Sequence, residues 1–127
     1  MMGDGPEVVT SGDCGNSPKN ARAQDIALAL MGAGTLAPDL LAENAVWERP
    51  GGALSGRARI LSALRSEAAP DRIDVDQVVT HGRSGSVSGR YAMGESEWLF
   101  CHVIRFTTAS CKKIAQLVSF RHPVKGS

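Results

Sequence analysis

FCHVIRF, residues 100–106, is the stretch that decides the fold, because its apolar residues alternate along the chain. A period of two residues is typical of a β-strand with one buried face. Phe100, Ile104 and Phe106 share one face of this strand, and His102 lies in their middle. A titratable imidazole in that position predicts either a hydrogen-bonded core residue or a polar group in a pocket.

The remainder of the chain divides into a helical first half and a strand-rich second half. Helices are predicted near residues 18–32, 37–44 and 57–66, and strands near 45–49, 73–79, 87–93, 97–106 and 113–122. Helices followed by antiparallel strands indicate the α+β class, with the helices against one face of a curved sheet. We predict a flexible extension over residues 1–16, one domain over 17–123 and a short tail over 124–127.

Composition excludes several classes of protein. The 127 residues are 43% hydrophobic and 21% charged, which is typical of a folded domain, and the formal net charge is only +1. There is no run of lysine and arginine of the kind that follows a phosphate backbone, so we expect no nucleic-acid partner. No apolar stretch approaches the ~20 residues that span a bilayer, so we expect no membrane association.

The cysteine pattern and the N-terminus predict a cytoplasmic protein. The three cysteines are odd in number and have no CxxC spacing, which argues against a disulfide framework and against a zinc site. The N-terminus lacks the charged and apolar regions of a secretory signal. The glycine-rich segments do not form a dinucleotide-binding fingerprint. We therefore expect neither a metal nor a cofactor.

The order of the segments resembles the NTF2-like superfamily, in its SnoaL-like and ketosteroid-isomerase-like branch. The resemblance rests on AVWERPGG at 45–52, SGRARI at 55–60 and the hairpins that end in KKIAQLVSF at 112–120. It implies a cone, in which a curved antiparallel sheet wraps around the N-terminal helices and leaves a pocket at its wide end. The family includes isomerases, cyclases, dehydratases, hydrolases and non-catalytic binding proteins, so the resemblance does not assign an activity.

The ketosteroid isomerase pattern fails at its functional positions. Matching that pattern places Ala27 where the enzyme has its oxyanion tyrosine and Arg49 where it has its carboxylate base. It places His102 where the enzyme has its protonated aspartic acid. Because none of the three chemical groups is present, steroid isomerisation by that mechanism is excluded.

The resemblance also implies which side chains face the pocket. His102 is the candidate general acid or base. The candidate ligand-binding residues are Trp47, Arg49, Trp98, Phe100, Ile104, Leu117, Ser119 and Arg121. Each has a plainer alternative: His102 as a core residue bonded to a hydroxyl such as that of Ser119, the two arginines as solvated strand ends, and Trp47 as core filling. If the arginines act together, they would bind a planar anion such as a carboxylate.

The opposite face of the sheet predicts an interface. Leu99, Cys101, Val103, Val118 and Phe120 point away from the pocket and form an apolar face that no predicted helix covers. Such a face in a globular domain marks a contact surface, and a two-fold homodimer would bury it. Cys101 is thus expected to pack at a surface. Cys111 is expected to be the more exposed thiol, and His81 an exposed turn residue.

Two hypotheses remain open from the sequence. The first is a protein that binds a small apolar organic molecule in the pocket without turnover. The second is a cofactor-independent isomerase, cyclase, dehydratase or hydrolase that uses His102 as a general acid or base. A second titratable group beside His102 would favour the enzyme, and the sequence offers none.

Overall fold

A seven-stranded sheet forms the frame of the protein, and the computed structural model describes it within residues 5–124. The strands are β1 (Glu7–Val9), β2 (Leu41–Arg49), β3 (Gly52–Ser55), β4 (Arg72–His81), β5 (Ser84–Met93), β6 (Ser96–Phe106) and β7 (Ile114–Pro123). The helices are α1 (Pro18–Leu30) and α2 (Arg57–Arg65), with 3-10 turns at Gly12–Cys14 and Pro38–Leu40. The strand order β1-β4-β5-β6-β7-β2-β3 leaves the sheet open, and the predicted α+β cone is confirmed.

The strand pairings are mixed and not purely antiparallel as predicted. The long hairpins β4–β5, β5–β6 and β6–β7 are antiparallel, whereas β1–β4 and β2–β7 are parallel. A short hairpin turn forces its two strands to run in opposite directions. The two parallel pairs join strands far apart in the sequence, so no such turn constrains their direction.

Helix α1 begins as the sequence predicts. The hydroxyl of Ser17 accepts a hydrogen bond from the amide of Asn20, and Pro18 occupies the first helical position, where its missing N–H is not needed. The helix ends before Gly32, which has a φ of +79°. A Cβ at Gly32 would lie 3.0 Å from both the Ala69 nitrogen and the Glu67 oxygen. Glycine therefore lets the loop after α2 pack closely on the end of α1.

Two local predictions were wrong. The helix predicted over residues 37–44 is only the 3-10 turn at Pro38–Leu40, and β2 begins at Leu41, four residues before the predicted strand. Leu41 is fully buried and pairs with Ile114 of β7, so tertiary pairing overrides the local helix propensity of this segment. Residues 52–55 also form a strand, β3, which pairs back onto β2.

The N-terminal segment contains structure that was not predicted. Within the proposed extension, β1 pairs with β4, and the carboxylate of Asp13 accepts a hydrogen bond of 3.0 Å from the amide of Val78. The Gln24 side chain accepts a bond from the amide of Ser11. Residues 1–4 and most of the proposed tail, 125–127, lie outside the described part of the chain, and the domain bounds stay a prediction.

The core joins α1 and α2 to the inner face of the sheet. Its largest fully buried side chains are Phe106, Ile26, Leu41, Ile60, Ile73, Ile104, Ile114 and Leu117. The sheet bends at an irregularity of β4 between Val75 and Gln77, opposite Gly89. A Cβ at Gly89 would overlap the backbone oxygen of Asp74, so this close approach requires glycine.

Candidate functional site

Strand β6 presents its side chains as the alternation predicts. Phe100, His102, Ile104 and Phe106 are buried, whereas Leu99 and Arg105 are exposed and Cys101 and Val103 are half-buried. Direct neighbours across the sheet are Val87 on β5 and Ser119 on β7, which flank His102. The imidazole therefore lies on the inner face, between two long hairpin strands.

A cavity of about 310 Å³ opens on this inner face. Six of the eight predicted ligand-binding residues line it together with His102: Trp47, Arg49, Trp98, Phe100, Ser119 and Arg121. Ile104 and Leu117 do not line it. These two oppose each other one step further along β6 and β7 and are fully buried in the core.

The physical reason for this difference is that α1 packs on the sheet at Ile104. Gly85 opposes Ile104 on β5, and a Cβ at Gly85 would lie 3.5 Å from the Cβ of Ala23 on α1. The helix thus packs directly on the sheet at the Ile104 end. At the His102 end α1 comes to its end, and its last residue Leu30 and the C-cap Met31 line the cavity.

Several lining residues were not predicted. They are Leu30, Met31, Pro50, Glu67, Ala68, Pro70, Tyr91, Met93 and Phe120. Tyr91 continues the inward alternation of Val87 on β5 and opposes Trp98, so strand periodicity contains a signal for it. The loop containing Glu67 and Ala68 reaches the cavity through its packing on Gly32, for which the sequence carries no periodic signal.

The cavity has a buried floor and an exposed mouth. We call the buried lining residues Leu30, Met31, Trp47, Pro70, Phe100, His102 and Ser119 the floor. We call the exposed lining residues Pro50, Glu67, Ala68, Met93, Phe120 and Arg121 the mouth. Arg49 is half-buried, follows the floor residue Trp47 by two positions and is counted with the mouth. Phe120, predicted to face away from the pocket, is 57% exposed and reaches the mouth as well.

A hydrogen-bonded chain of three side chains lies in the floor. Trp47 Nε1 donates to Ser119 Oγ over 2.8 Å, and Ser119 Oγ lies 2.7 Å from His102 Nδ1. The indole N–H is only a donor, so the Ser119 hydroxyl accepts from it and keeps its own proton for the imidazole. This pairing makes Nδ1 an acceptor and places the ring proton on Nε2. The predicted bond between His102 and Ser119 is thus present.

The other nitrogen of His102 has no partner. Nε2 is buried, and no hydrogen-bonding group of residues 5–124 reaches it. A buried donor that lacks a partner costs about 1–3 kcal/mol. Burial also lowers the pKa of His102 to about 4, because the imidazolium is poorly solvated there. At neutral pH the imidazole is therefore uncharged, and its Nε2–H is covered by protein atoms.

Aromatic rings form one wall of the cavity. Tyr91 and Trp98 stack with 6.2 Å between ring centroids and 7° between planes. Phe100 lies 6.4 Å from Tyr91 and 5.4 Å from the His102 ring. Such offset contacts between rings stabilise a rigid apolar surface. This wall offers an apolar surface to a ligand.

Two guanidinium groups contact the tryptophans of the same cavity. Arg49 lies 4.8 Å from the ring centroid of Trp47, and Arg121 lies 5.2 Å from that of Trp98. Both distances are within the range of a cation–π contact. Glu67, the single carboxylate among the lining residues, lies 3.9 Å from Arg49. The mouth therefore has a positive balance of charge.

The thiols do not form a reactive site. The prediction that Cys111 is the more exposed thiol was wrong: it is buried, with a φ of 58°, and its Sγ lies 3.5 Å from the Ala109 oxygen. The turn after β6 folds this side chain inward. Cys101 is half-buried on the outer face, where burial raises its pKa. His81 is exposed, as predicted.

Within residues 5–124, no group of three or more histidine, cysteine, aspartate and glutamate side chains is arranged to hold a metal ion. The same part of the chain contains no helix that is both long and apolar enough to cross a membrane.

Comparison with known proteins identifies the fold. No family model and no curated protein matches the sequence. An NTF-2 like protein of unknown function from Burkholderia xenovorans is 16% identical, with a TM-score of 0.65 over 86% of this chain and 84% of that one. A Kribbella flavida protein provisionally named a ketosteroid isomerase is 20% identical, with a TM-score of 0.65 over 85% and 80%.

A designed protein is similar as well. A de novo designed protein with a curved β-sheet is 14% identical, with a TM-score of 0.56 over 81% of this chain and 85% of that one. Sequence identities this low indicate a shared architecture but do not assign an activity. The open curved sheet, the helices on its inner face and these similarities together show that the chain has the NTF2-like fold.

Proposed function

We propose that this protein binds a small hydrophobic molecule in the cavity and that it does so without turnover. The observation that carries the proposal is the cavity itself, an apolar and aromatic space whose floor contains one unpartnered hydrogen-bond donor, His102 Nε2. Concave apolar surfaces with a few convergent polar groups are the usual composition of small-molecule sites. The proposed ligand contacts are those of Trp47, Trp98 and Phe100.

The unpartnered Nε2–H of His102 indicates which polar group a ligand would carry. Nε2 is covered by protein atoms, so an oxygen acceptor on the ligand would reach it only after the side chains around it shift, and it would then remove the cost of leaving that group without a partner. The Ser119 and Trp47 bonds hold the imidazole in one orientation. The rest of the floor contributes apolar contact.

The alternative is a cofactor-independent isomerase, cyclase, dehydratase or hydrolase with His102 as general acid or base. An effective general acid or base has a pKa near the working pH, and the lowered pKa of His102 makes it a poor one at neutrality. Within residues 5–124 its ring bonds to a serine and to no carboxylate, and Glu67, the carboxylate that lines the cavity, lies beside Arg49. These observations favour binding over proton transfer.

A pair of neighbouring residues provides the test of binding. Trp98 lines the cavity, whereas Leu99 points to the other face of the same strand. With N-phenyl-1-naphthylamine as a fluorescent probe, we expect Trp98→Ala to weaken binding about tenfold, through the loss of ring contact. Leu99→Ala should leave the affinity unchanged. Equal weakening by both variants, or no binding to the wild type, would contradict the proposal.

We also propose a homodimer through the outer face of the sheet. Leu99 is 45% exposed and Phe120 is 57% exposed, and Val103 lies opposite Val118 between them. An apolar face of this kind is stabilised by pairing with a second copy. Sedimentation should show a dimer for the wild type and a monomer for Leu99→Lys. Met93→Lys, at a residue that is 44% exposed outside this face, is the control and should remain dimeric.

The proposed location is the cytoplasm. Cys14, Cys101 and Cys111 are all free thiols, and Cys14 and Cys101 are half-buried at the surface. Free thiols are stable in a reducing compartment. Alkylation of the protein in intact cells, followed by mass spectrometry, should find these cysteines reduced.

A further inference from the structure

We infer that the ligand of the cavity is an amphiphilic organic anion, whose acidic group is bound at the mouth by Arg121 and Arg49 while its apolar part lies over the floor. This inference rests on the proposed binding function and specifies the chemical class of the ligand. It follows from the placement of the two guanidinium groups, from the weakness of their present pairing and from the uncharged floor.

Arg121 is held in position but has no anionic partner. Its guanidinium lies over the Trp98 ring, and both side chains line the cavity. In the described part of the chain, no carboxylate lies within ion-pair distance of Arg121. A cation–π contact uses none of the guanidinium N–H groups in a hydrogen bond to an acceptor oxygen, so these groups stay available to a carboxylate. Arg121 is therefore an anion receptor at the mouth.

Arg49 has only a weak partner. Its guanidinium lies over Trp47, whose indole N–H is already bonded to Ser119, so the ring beneath the cation is fixed. The contact with Glu67 measures 3.9 Å, which is longer than a hydrogen-bonded ion pair. Glu67 lies on an exposed loop, where such pairs contribute little. A ligand carboxylate can thus replace Glu67 as the partner of Arg49.

The floor determines which end of the ligand enters first. His102 is uncharged and Phe100 and Leu30 are apolar, so a charged group would lose its solvation there without compensation. Arg121 follows Ser119 by two residues along β7, which places its backbone about 7 Å further towards the open end. The charged group of the ligand therefore stays at the mouth, and the uncharged part, with any oxygen acceptor for Nε2, lies over the floor.

The experiment compares two probes of equal shape, 4-ethylbenzoate and 4-ethylbenzamide, by calorimetry on the full chain. We expect the wild type to bind the carboxylate more tightly. Arg121→Gln and Arg49→Gln should each weaken carboxylate binding about tenfold and leave amide binding unchanged, since a charge-assisted contact is lost. Glu67→Gln should strengthen carboxylate binding about threefold by removing the competing anion.

Arg105→Gln is the matched control. Arg105 is exposed on β6 and does not line the cavity, and its replacement changes the net charge of the protein by the same amount. We expect no change in the affinity for either probe. The indole N–H resonances of Trp47 and Trp98 should shift on carboxylate binding, which places the probe in the cavity.

The outcomes separate this inference from the proposed function. Equal affinity for the two probes, equal effects of Arg121→Gln and Arg105→Gln, or shifts confined to residues outside the cavity would overturn the inference. In the first two cases, binding of the amide to the floor would still support the proposed function. If neither probe binds, both the inference and the proposed function fail.

Discussion

Two ends of the same strand pair have different roles in this molecule. At one end Ile104 opposes Leu117 in the solid core, and at the other end His102 opposes Ser119 in the floor of a cavity. The two pairs are separated by two residues on each strand and face the same side of the sheet. The difference lies in what covers them, since α1 packs directly on the sheet near Ile104, whereas its end at Leu30 and Met31 lines the cavity above His102.

This comparison shows how a curved sheet creates a site. A sheet that extends beyond its covering helix leaves inward side chains without packing partners, and polar groups are tolerated there when they bond to one another. His102, Ser119 and Trp47 satisfy this condition at all but one atom, Nε2. Three predictions, in order of decreasing effect, test the contrast between the two ends.

Leu117→Ala should cause the largest loss of stability. The residue is fully buried, and truncation of a packed leucine removes apolar contact and leaves a cavity, at a cost of about 2–5 kcal/mol. The free energy of unfolding in urea measures this. The comparison residue is Leu99 on the outer face, where Leu99→Ala should cost much less. A loss below about 1 kcal/mol for Leu117→Ala would show that the core end is not packed as described.

The pH dependence of stability should report the burial of His102. Its pKa is about 4 in the folded protein and near 6.5 when it is exposed, so the unfolded state binds the proton more readily. This contribution to stability is fully present above about pH 6.5 and is lost as the pH falls towards 4. Its full size is about 3 kcal/mol.

The measurement compares urea unfolding of the wild type and His102→Gln at pH 7 and at pH 4.5. The wild type should lose more stability than the variant over this interval. His81→Gln is the control, because His81 is exposed and should leave the pH profile unchanged. Parallel profiles of wild type and His102→Gln would mean that the imidazole is solvated when folded.

Ser119→Ala should have the smallest effect of the three. It removes the shared partner of Trp47 Nε1 and His102 Nδ1, which costs about 1–2 kcal/mol in unfolding free energy. Ser88→Ala, on the outer face of β5 opposite Cys101, is the control and should change stability by less than about 0.5 kcal/mol. Nitrogen NMR of the imidazole should show Nδ1 unprotonated in the wild type and a mixed tautomer in the variant. A protonated Nδ1 in the wild type would refute the assigned bond direction.

Predictions from the sequence succeed where one strand or helix decides the outcome. The inward and outward sides of β6 follow from its alternation, and the start of α1 follows from Ser17 and Pro18. Predictions from the sequence fail where a segment that is distant in the sequence determines the local structure. Leu41 becomes a strand residue because β7 lies beside it, and Cys111 is buried because its turn folds back towards Gly82.

The candidate site divides in the same way. Seven of its strand residues were predicted, because alternation groups the side chains by face and the family resemblance implies which face looks inward. Ile104 and Leu117 were predicted with them, because alternation cannot distinguish a core position from a cavity position. Tyr91 and Met93 of β5 were missed. The loop residues Glu67 and Ala68 were missed, because their approach depends on the fit of Gly32 against that loop. The ligand-binding roles of the predicted strand residues stay predictions.

The sequence by itself determined which side chains share a face of the sheet, because the period of a strand is a local property of the backbone. It also determined that the inner face would contain a histidine and a serine among apolar residues. Only the tertiary structure decided where the helix stops covering that face, which bonds the histidine makes and which nitrogen lacks a partner. Those depend on packing between segments that are distant in the chain, and packing has no signature in any single segment.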